Sequence, residues 1–200
     1  MSTEDRSNTT KKSTVYVALI TALAIIIGSV ILGIGGQTPK TVITFKTNLG
    51  EIVISTKSDE APQTVAAISK LAQENYFDNT ICHRLTTEGI FVLQCGDPTG
   101  TGTGGPGFTI PDENLPQAIE NNYPVGTVAM ANSGPNSSGS QFFLVYQDTT
   151  LPNAAYTIWG SITSGLDILK TIASAGVVGG GADGAPVTGV TIESTKVTIS

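Results

Sequence analysis

Residues 15–36, VYVALITALAIIIGSVILGIGG, form a run of 22 positions without a charge. At about 1.5 Å per residue a helix of that length spans roughly 33 Å, enough to cross a bilayer core. A cleaved signal peptide is the alternative. Its apolar region is shorter and ends at an A-x-A-like site, which this run lacks, so the pattern favours a retained anchor. Arg6, Lys11 and Lys12 precede the run, and only Lys40 follows closely. The positive-inside rule then puts residues 1–14 in the cytoplasm as a polar, disordered tail, and the body outside. The expected organisation is a tail (1–14), a membrane anchor (15–36) and one domain (37–200), a single-pass cell-membrane protein.

After the anchor the period of the apolar positions changes. TVITFKTNLGEIVISTK (41–57) reads as two strands about a turn at Asn48-Leu49-Gly50. Val65, Ile68, Leu71 and Ala72 recur at helical spacing in 61–75, with Pro62 suited to a first turn. Short apolar runs at 80–86, 91–97, 126–131, 140–146 and 156–162 predict strands, as does 190–199. Residues 166–174 predict a second helix that ends near Gly176. Many short strands and two isolated helices indicate a mainly β barrel or sandwich.

Composition sharpens this only in part. Glycine (23) and proline (10) are plentiful, which suits turns, and the net charge of −6 disfavours nucleic acid as a partner. The charge map says more. Between 71 and 169 there is no lysine, and Arg84 is the one permanent cation against nine carboxylates. Pairing with one of those acids is its plain structural reading. GTGTGGPG (100–107) contains a G-x-G-x-x-G match, but FTIPDENLP follows where a phosphate-binding helix is required, so the run reads as a loop. His83 is the only histidine, which disfavours a multi-histidine metal site, and its own reading is structural. No G-x-S-x-G elbow supports a serine triad. The stretch ANSGPNSSGSQFF (131–143) sets a polar loop against an apolar strand. It is either a surface hairpin loop or the backbone wall of a groove.

CHRL, FVLQCGD, GTGGPGFTIPDENL, GTVAMANSGPNSSGSQFF and YTIWG, in this order and spacing, resemble the cyclophilin-type peptidyl-prolyl isomerases over residues 41–200. The resemblance implies a closed eight-stranded antiparallel β-barrel with two capping helices. It implies rotation about Xaa–Pro bonds, proline-containing polypeptides as partners, and no cofactor or metal. Arg84 resembles the family's catalytic arginine and Gln94 the glutamine beside it. Phe91 and Val92 fall where the proline pocket has an aromatic residue and a methionine. Ala131 and Asn132 match positions whose backbone pairs with an extended substrate. Gln141 and Phe143 match a glutamine and the phenylalanine floor. Tyr156 stands where many members have histidine, and Leu151-Pro152 where many have tryptophan and leucine. The nine residues between Arg84 and Gln94 are two more than in the common short form, which extends the loop at TTEGI. The implied role is folding of exported proteins; the alternative is a noncatalytic module that captures proline-containing segments.

Cys82 and Cys95 are the only cysteines. Outside the cytoplasm two thiols in one small domain are normally oxidised together, and neighbouring hairpin strands bring them into range. Strand alternation objects. It puts Cys82 on the face of Arg84, and Cys95 on the face opposite Gln94, so the sulfurs of a regular ladder diverge. A bulge or strand end at Gly96 removes the objection; two buried free thiols are the alternative.

Overall fold

The computed structural model describes residues 40–199, and the expected tail and anchor lie outside these residues. Among the described residues no helix is long and apolar enough to cross a membrane. The first apolar-alternating segment forms β1 (Thr41–Thr47) and β2 (Gly50–Thr56), an antiparallel hairpin. Ile43, Phe45, Ile52 and Ile54 point to one side and are buried, as period-2 alternation requires. Helix α1 (Pro62–Gln73) buries Val65, Ile68, Leu71 and Ala72. Ala61 supplies no side-chain cap; the carboxylate of Glu113 accepts from the Gln63 and Thr64 amides instead, at 3.1 and 2.8 Å. This places a negative charge and an acceptor at the helix N-terminus, where free N–H groups need one. Helix α2 is Leu166–Ala175.

The remaining strands are β3 (Thr80–Ile81), β4 (Arg84–Thr86), β5 (Val92–Cys95), β6 (Thr127–Met130), β7 (Phe142–Val145), β8 (Ile158–Ser164), β9 (Asp183–Gly184) and β10 (Thr191–Ile199). All ten lie in one antiparallel sheet, in the order β3-β10-β1-β2-β8-β6-β7-β5-β4-β9. The expectation of a closed eight-stranded barrel is corrected in two respects. The described residues form ten strands, and the ladder is a curled sheet whose edge strands, β3 and β9, do not pair with each other. The curl is nevertheless tight, because β3 and β4 belong to opposite margins of the order and only Cys82 and His83 separate them.

That two-residue step is where the predicted strand 80–86 breaks. Thr80 and Ile81 pair with β10, whereas Arg84 and Leu85 pair with β5. Changing partners costs the chain its alternation. Cys82 therefore faces the interior although Arg84 does not, and Cys95 reaches the same interior by the regular alternation of β5. The structure joins the two sulfurs, with the Cα atoms 4.0 Å apart. The irregularity that permits this lies at residues 82–83 and not at Gly96, where the sequence suggested it, because the β5 ladder runs regularly through Cys95. Alkylation of the denatured, unreduced protein is expected to label neither cysteine, and two labelled thiols after reductant; label without reductant would contradict the bridge.

Strands β5, β6 and β7 bury both faces. Leu93, Cys95, Val128, Met130, Phe142 and Leu144 enter the main core, which also holds Trp159. Val92, Ala129, Phe143 and Val145 enter a second apolar cluster on the opposite face, built around the buried Tyr123. The adjacent Phe142 and Phe143 thus split between core and groove, because successive side chains of a strand point to opposite faces.

Candidate active site

The second cluster is the floor of a pocket. Val92, Phe143, Leu151 and Tyr156 form its apolar lining, in a volume of about 160 Å³. Arg84 and Gln94 lie at its edge, with Ala131 and Asn132 on one side. Phe143 is braced by Tyr156, whose ring stands edge-on at 5.6 Å, and by Tyr123 at 6.0 Å. The Tyr123 hydroxyl donates to the Tyr156 carbonyl and accepts from the Tyr156 amide, both at 3.0 Å. Burial pushes the Tyr123 phenol up to about 12, so it stays a neutral donor.

Arg84 and Gln94 are directly opposed across the β4–β5 ladder. Arg84 Nη1 donates to Gln94 Oε1 at 3.2 Å, and Gln94 Nε2 donates to Gln141 Oε1 at 2.8 Å. Gln141 Nε2 in turn donates to the carbonyls of Gly102 and Gly104, at 3.0 and 2.9 Å. This relay leaves each amide only one orientation, since carbonyl oxygens cannot donate. Gln141 itself lines an adjoining cleft of about 560 Å³, between loop 102–109 and loop 131–141. On the other side, Arg84 Nε and Nη2 donate to Asp183 Oδ1 and Oδ2 at 2.8 and 2.7 Å. That pairing raises the arginine above its already high value and holds the Asp183 carboxyl below the usual range. The acid partner lies beyond the 71–169 window in which the charge map placed it.

Two loops flank the relay, one organised by a carboxylate and the other by a side-chain amide. The fully buried Asp97 takes the amides of Thr99 at 2.7 Å, Gly102 at 2.6 Å and Gly104 at 3.0 Å. Desolvation works against its charge, but the hydrogen bonds prevail and hold the carboxyl well below the usual carboxylate range. A side chain at Gly104 would run into this carboxylate, so the loop requires glycine there. Across the groove, Asn132 Nδ2 donates to the Ala155 carbonyl at 2.7 Å, and Asn132 Oδ1 accepts from the Gly134 amide at 3.2 Å. Asn132 therefore braces the polar loop with its side chain, while Ala131 N–H continues the pairing to Gln141 O at 2.9 Å.

Of the sequence-derived residues, two do not line the pocket: Gln141 lines the adjoining cleft and meets the site through Gln94, and Phe91 lines neither. Phe91 packs against the main core, with its ring 6.0 Å from that of Tyr146. Ile90 lines the pocket instead. Phe91 and Val92 are neighbours on an extended chain and cannot both face the groove. Alternation outward from Gln94 selects Val92 and Ile90, a signal present in the sequence. Asp183 and Tyr123 had no such local signal.

His83, in the step between β3 and β4 and beside Gly102, is half-buried, and neither ring nitrogen has a hydrogen-bond partner among the described residues. Burial lowers its pKa, with Asp97 opposing and Arg84 reinforcing the shift. The unfolded chain takes up this proton near about pH 6.5, while the folded chain resists it, so stability declines as pH falls below that value. His83→Phe is expected to flatten the decline between about pH 7 and 5, read as urea midpoints at each pH. An unchanged slope would assign the acid sensitivity elsewhere.

The family model described as cyclophilin type peptidyl-prolyl cis-trans isomerase/CLD matches residues 42–197. The chain belongs to this family. It is 48% identical over 163 residues to the probable peptidyl-prolyl cis-trans isomerase B of Mycobacterium tuberculosis (strain CDC 1551 / Oshkosh), covering 76% of this chain and 53% of that protein. The chain thus spans about half the length of the mycobacterial relatives it matches. It is 39% identical over 120 residues to peptidyl-prolyl cis-trans isomerase B of Bacillus subtilis (strain 168), covering 60% of this chain and 81% of that protein. A crystal structure of a Cryptosporidium parvum cyclophilin type peptidyl-prolyl cis-trans isomerase superposes with a TM-score of 0.67 at 27% identity. It covers 80% of this chain and 98% of that one. A second structure of that protein, in the presence of the dipeptide Ala-Pro, gives 0.66 at 27% identity, over 78% and 98%. In this cyclophilin, then, the clamped guanidinium of Arg84 stands beside the small apolar pocket.

Proposed function

We propose that this cyclophilin catalyses rotation about Xaa–Pro bonds of polypeptides, with Arg84 as the catalytic group and the Val92–Phe143–Leu151–Tyr156 pocket as the prolyl seat. The observation that carries the reading is the Arg84 guanidinium, held on two sides at the mouth of that pocket. The barrier to rotation is amide resonance, about 18–20 kcal/mol. The two Xaa–Pro isomers differ by only about 0.5–1 kcal/mol, so no driving reaction is needed. Catalysis requires that the twisted amide bind better than either planar form. On twisting, the prolyl nitrogen regains its lone pair, and a guanidinium N–H can donate to it. Guanidinium stays charged at any working pH. The apolar pocket keeps the ring still while the preceding residue swings. Gln94 and Gln141 carry the donor geometry and provide polar wall, and the 131–141 loop offers the backbone edge along which an extended segment lies.

The clients we infer are exported proteins, with the domain held at the outer side of the cell membrane by residues 15–36. The uncharged span and the basic residues before it support this. The first experiment is a protease-free isomerisation assay on a Xaa–Pro peptide with the full-length chain. Acceleration is expected, and peptide binding without acceleration would favour the noncatalytic module. Protease added to intact cells or spheroplasts should remove the domain; a fully protected domain would refute the topology.

A further inference from the structure

We propose that Asp183 is a positioning residue for the isomerisation, holding the Arg84 guanidinium in the plane and rotation the reaction needs; this rests on the reading of Arg84 as the catalytic donor. Asp183 opens β9, a strand of two residues whose one ladder is with β4, in the register Thr86↔Asp183 and Leu85↔Gly184. The segment around it is tied down on both sides. Thr87 N–H donates to the Ala182 carbonyl at 2.9 Å, and Val177 bridges Pro186. Gly184 lies so close to Val177 that a Cβ there would stand 2.9 Å from its side chain. The Asp183 backbone is therefore a fixed reference point on the strand that flanks Arg84.

The hydrogen bonds decide what the carboxylate does. A guanidinium has five N–H groups in a planar fork. Asp183 takes one from Nε and one from Nη2, and Gln94 takes one from Nη1. Two remain, one on each terminal nitrogen, so the substrate must be met by the terminal edge. Without Asp183, a single bond to Gln94 would hold the fork, and the plane could turn about the Cδ–Nε axis. A bidentate carboxylate removes that freedom before substrate arrives, which is what preorganisation of a transition-state donor requires.

The pair is poorly placed to serve stability. The side chains are 40% and 54% exposed, and exposed ion pairs add little to folding. A structural role and a positioning role therefore predict different readouts. The test is kcat/KM and melting temperature of the full-length chain as wild type, Asp183→Ala, Asp183→Glu, Arg84→Ala and Arg84→Ala/Asp183→Ala, on a Xaa–Pro peptide. Asp183→Ala is expected to lower kcat/KM about tenfold, chiefly through kcat, with the melting temperature unchanged. Asp183→Glu should recover part of the loss. In the Arg84→Ala background, removing Asp183 should cost nothing further. A loss of equal size in both backgrounds overturns the proposal, as does full activity of Asp183→Ala while Arg84→Ala is impaired. Full activity of Arg84→Ala itself would instead sink the assignment of Arg84, and this inference with it.

Discussion

Arg84→Ala is expected to lower kcat/KM for a Xaa–Pro peptide by about a hundredfold, the usual cost of deleting one preorganised donor from a site of this kind. That is about 2.7 kcal/mol of transition-state stabilisation. The fold should survive, because Arg84 is 40% exposed and its ion pair lies at the surface. Arg84→Lys should be nearly as impaired. An ammonium cannot engage Asp183 in two parallel bonds, reach Gln94 and still present a planar edge to the prolyl nitrogen. The measurement is the protease-free assay together with a melting curve. Turnover comparable to wild type in a folded Arg84→Ala would exclude the guanidinium mechanism.

The second large effect is expected in stability. Asp97→Asn should cost about 3 kcal/mol, the scale for breaking a buried, hydrogen-bonded charge site. The new amide nitrogen would face the donors it replaces. If it occupies the Oδ2 side, it meets the Gly102 and Gly104 amides, and on the Oδ1 side it meets the Thr99 amide. Thermal melting should fall by roughly 10 °C for a domain of this size. The pH dependence follows from the same carboxylate. Its folded pKa is depressed, so its contribution is complete above the unfolded value of about 3.9 and is lost as pH falls through the folded value. Asp97→Asn should therefore remove part of the wild type's loss of stability below about pH 4. Because Gly102 and Gly104 also supply the acceptors of Gln141, the variant is expected to lose activity even where it remains folded. A melting temperature within a degree of wild type would show that the loop is held by other contacts.

What was legible in the sequence was local and periodic. Alternation in 41–57 placed β1 and β2, and helical spacing placed α1 to within two residues. The same alternation divides Phe142 from Phe143 between core and groove, and, followed outward from Gln94, would have chosen Ile90 over Phe91. The family motifs placed Arg84 and Gln94 together because two short strands joined by a short loop can hardly avoid pairing. The proposed membrane anchor at 15–36 lies outside the described residues and is argued from the sequence alone. What the tertiary structure decided was long-range. Asp183 is separated from Arg84 by 99 positions, and only the long-range β4–β9 ladder brings the two-residue β9 beside β4; no local pattern marks so short a strand. The curl of the sheet makes the chain change partners at Cys82-His83. That break in alternation turns Cys82 inward to Cys95, which a regular ladder forbids. Side-chain periodicity is a property of neighbours along one strand, whereas the clamp on Arg84 comes from a ladder between distant segments, and the disulfide from the step by which the chain crosses between the margins of the sheet.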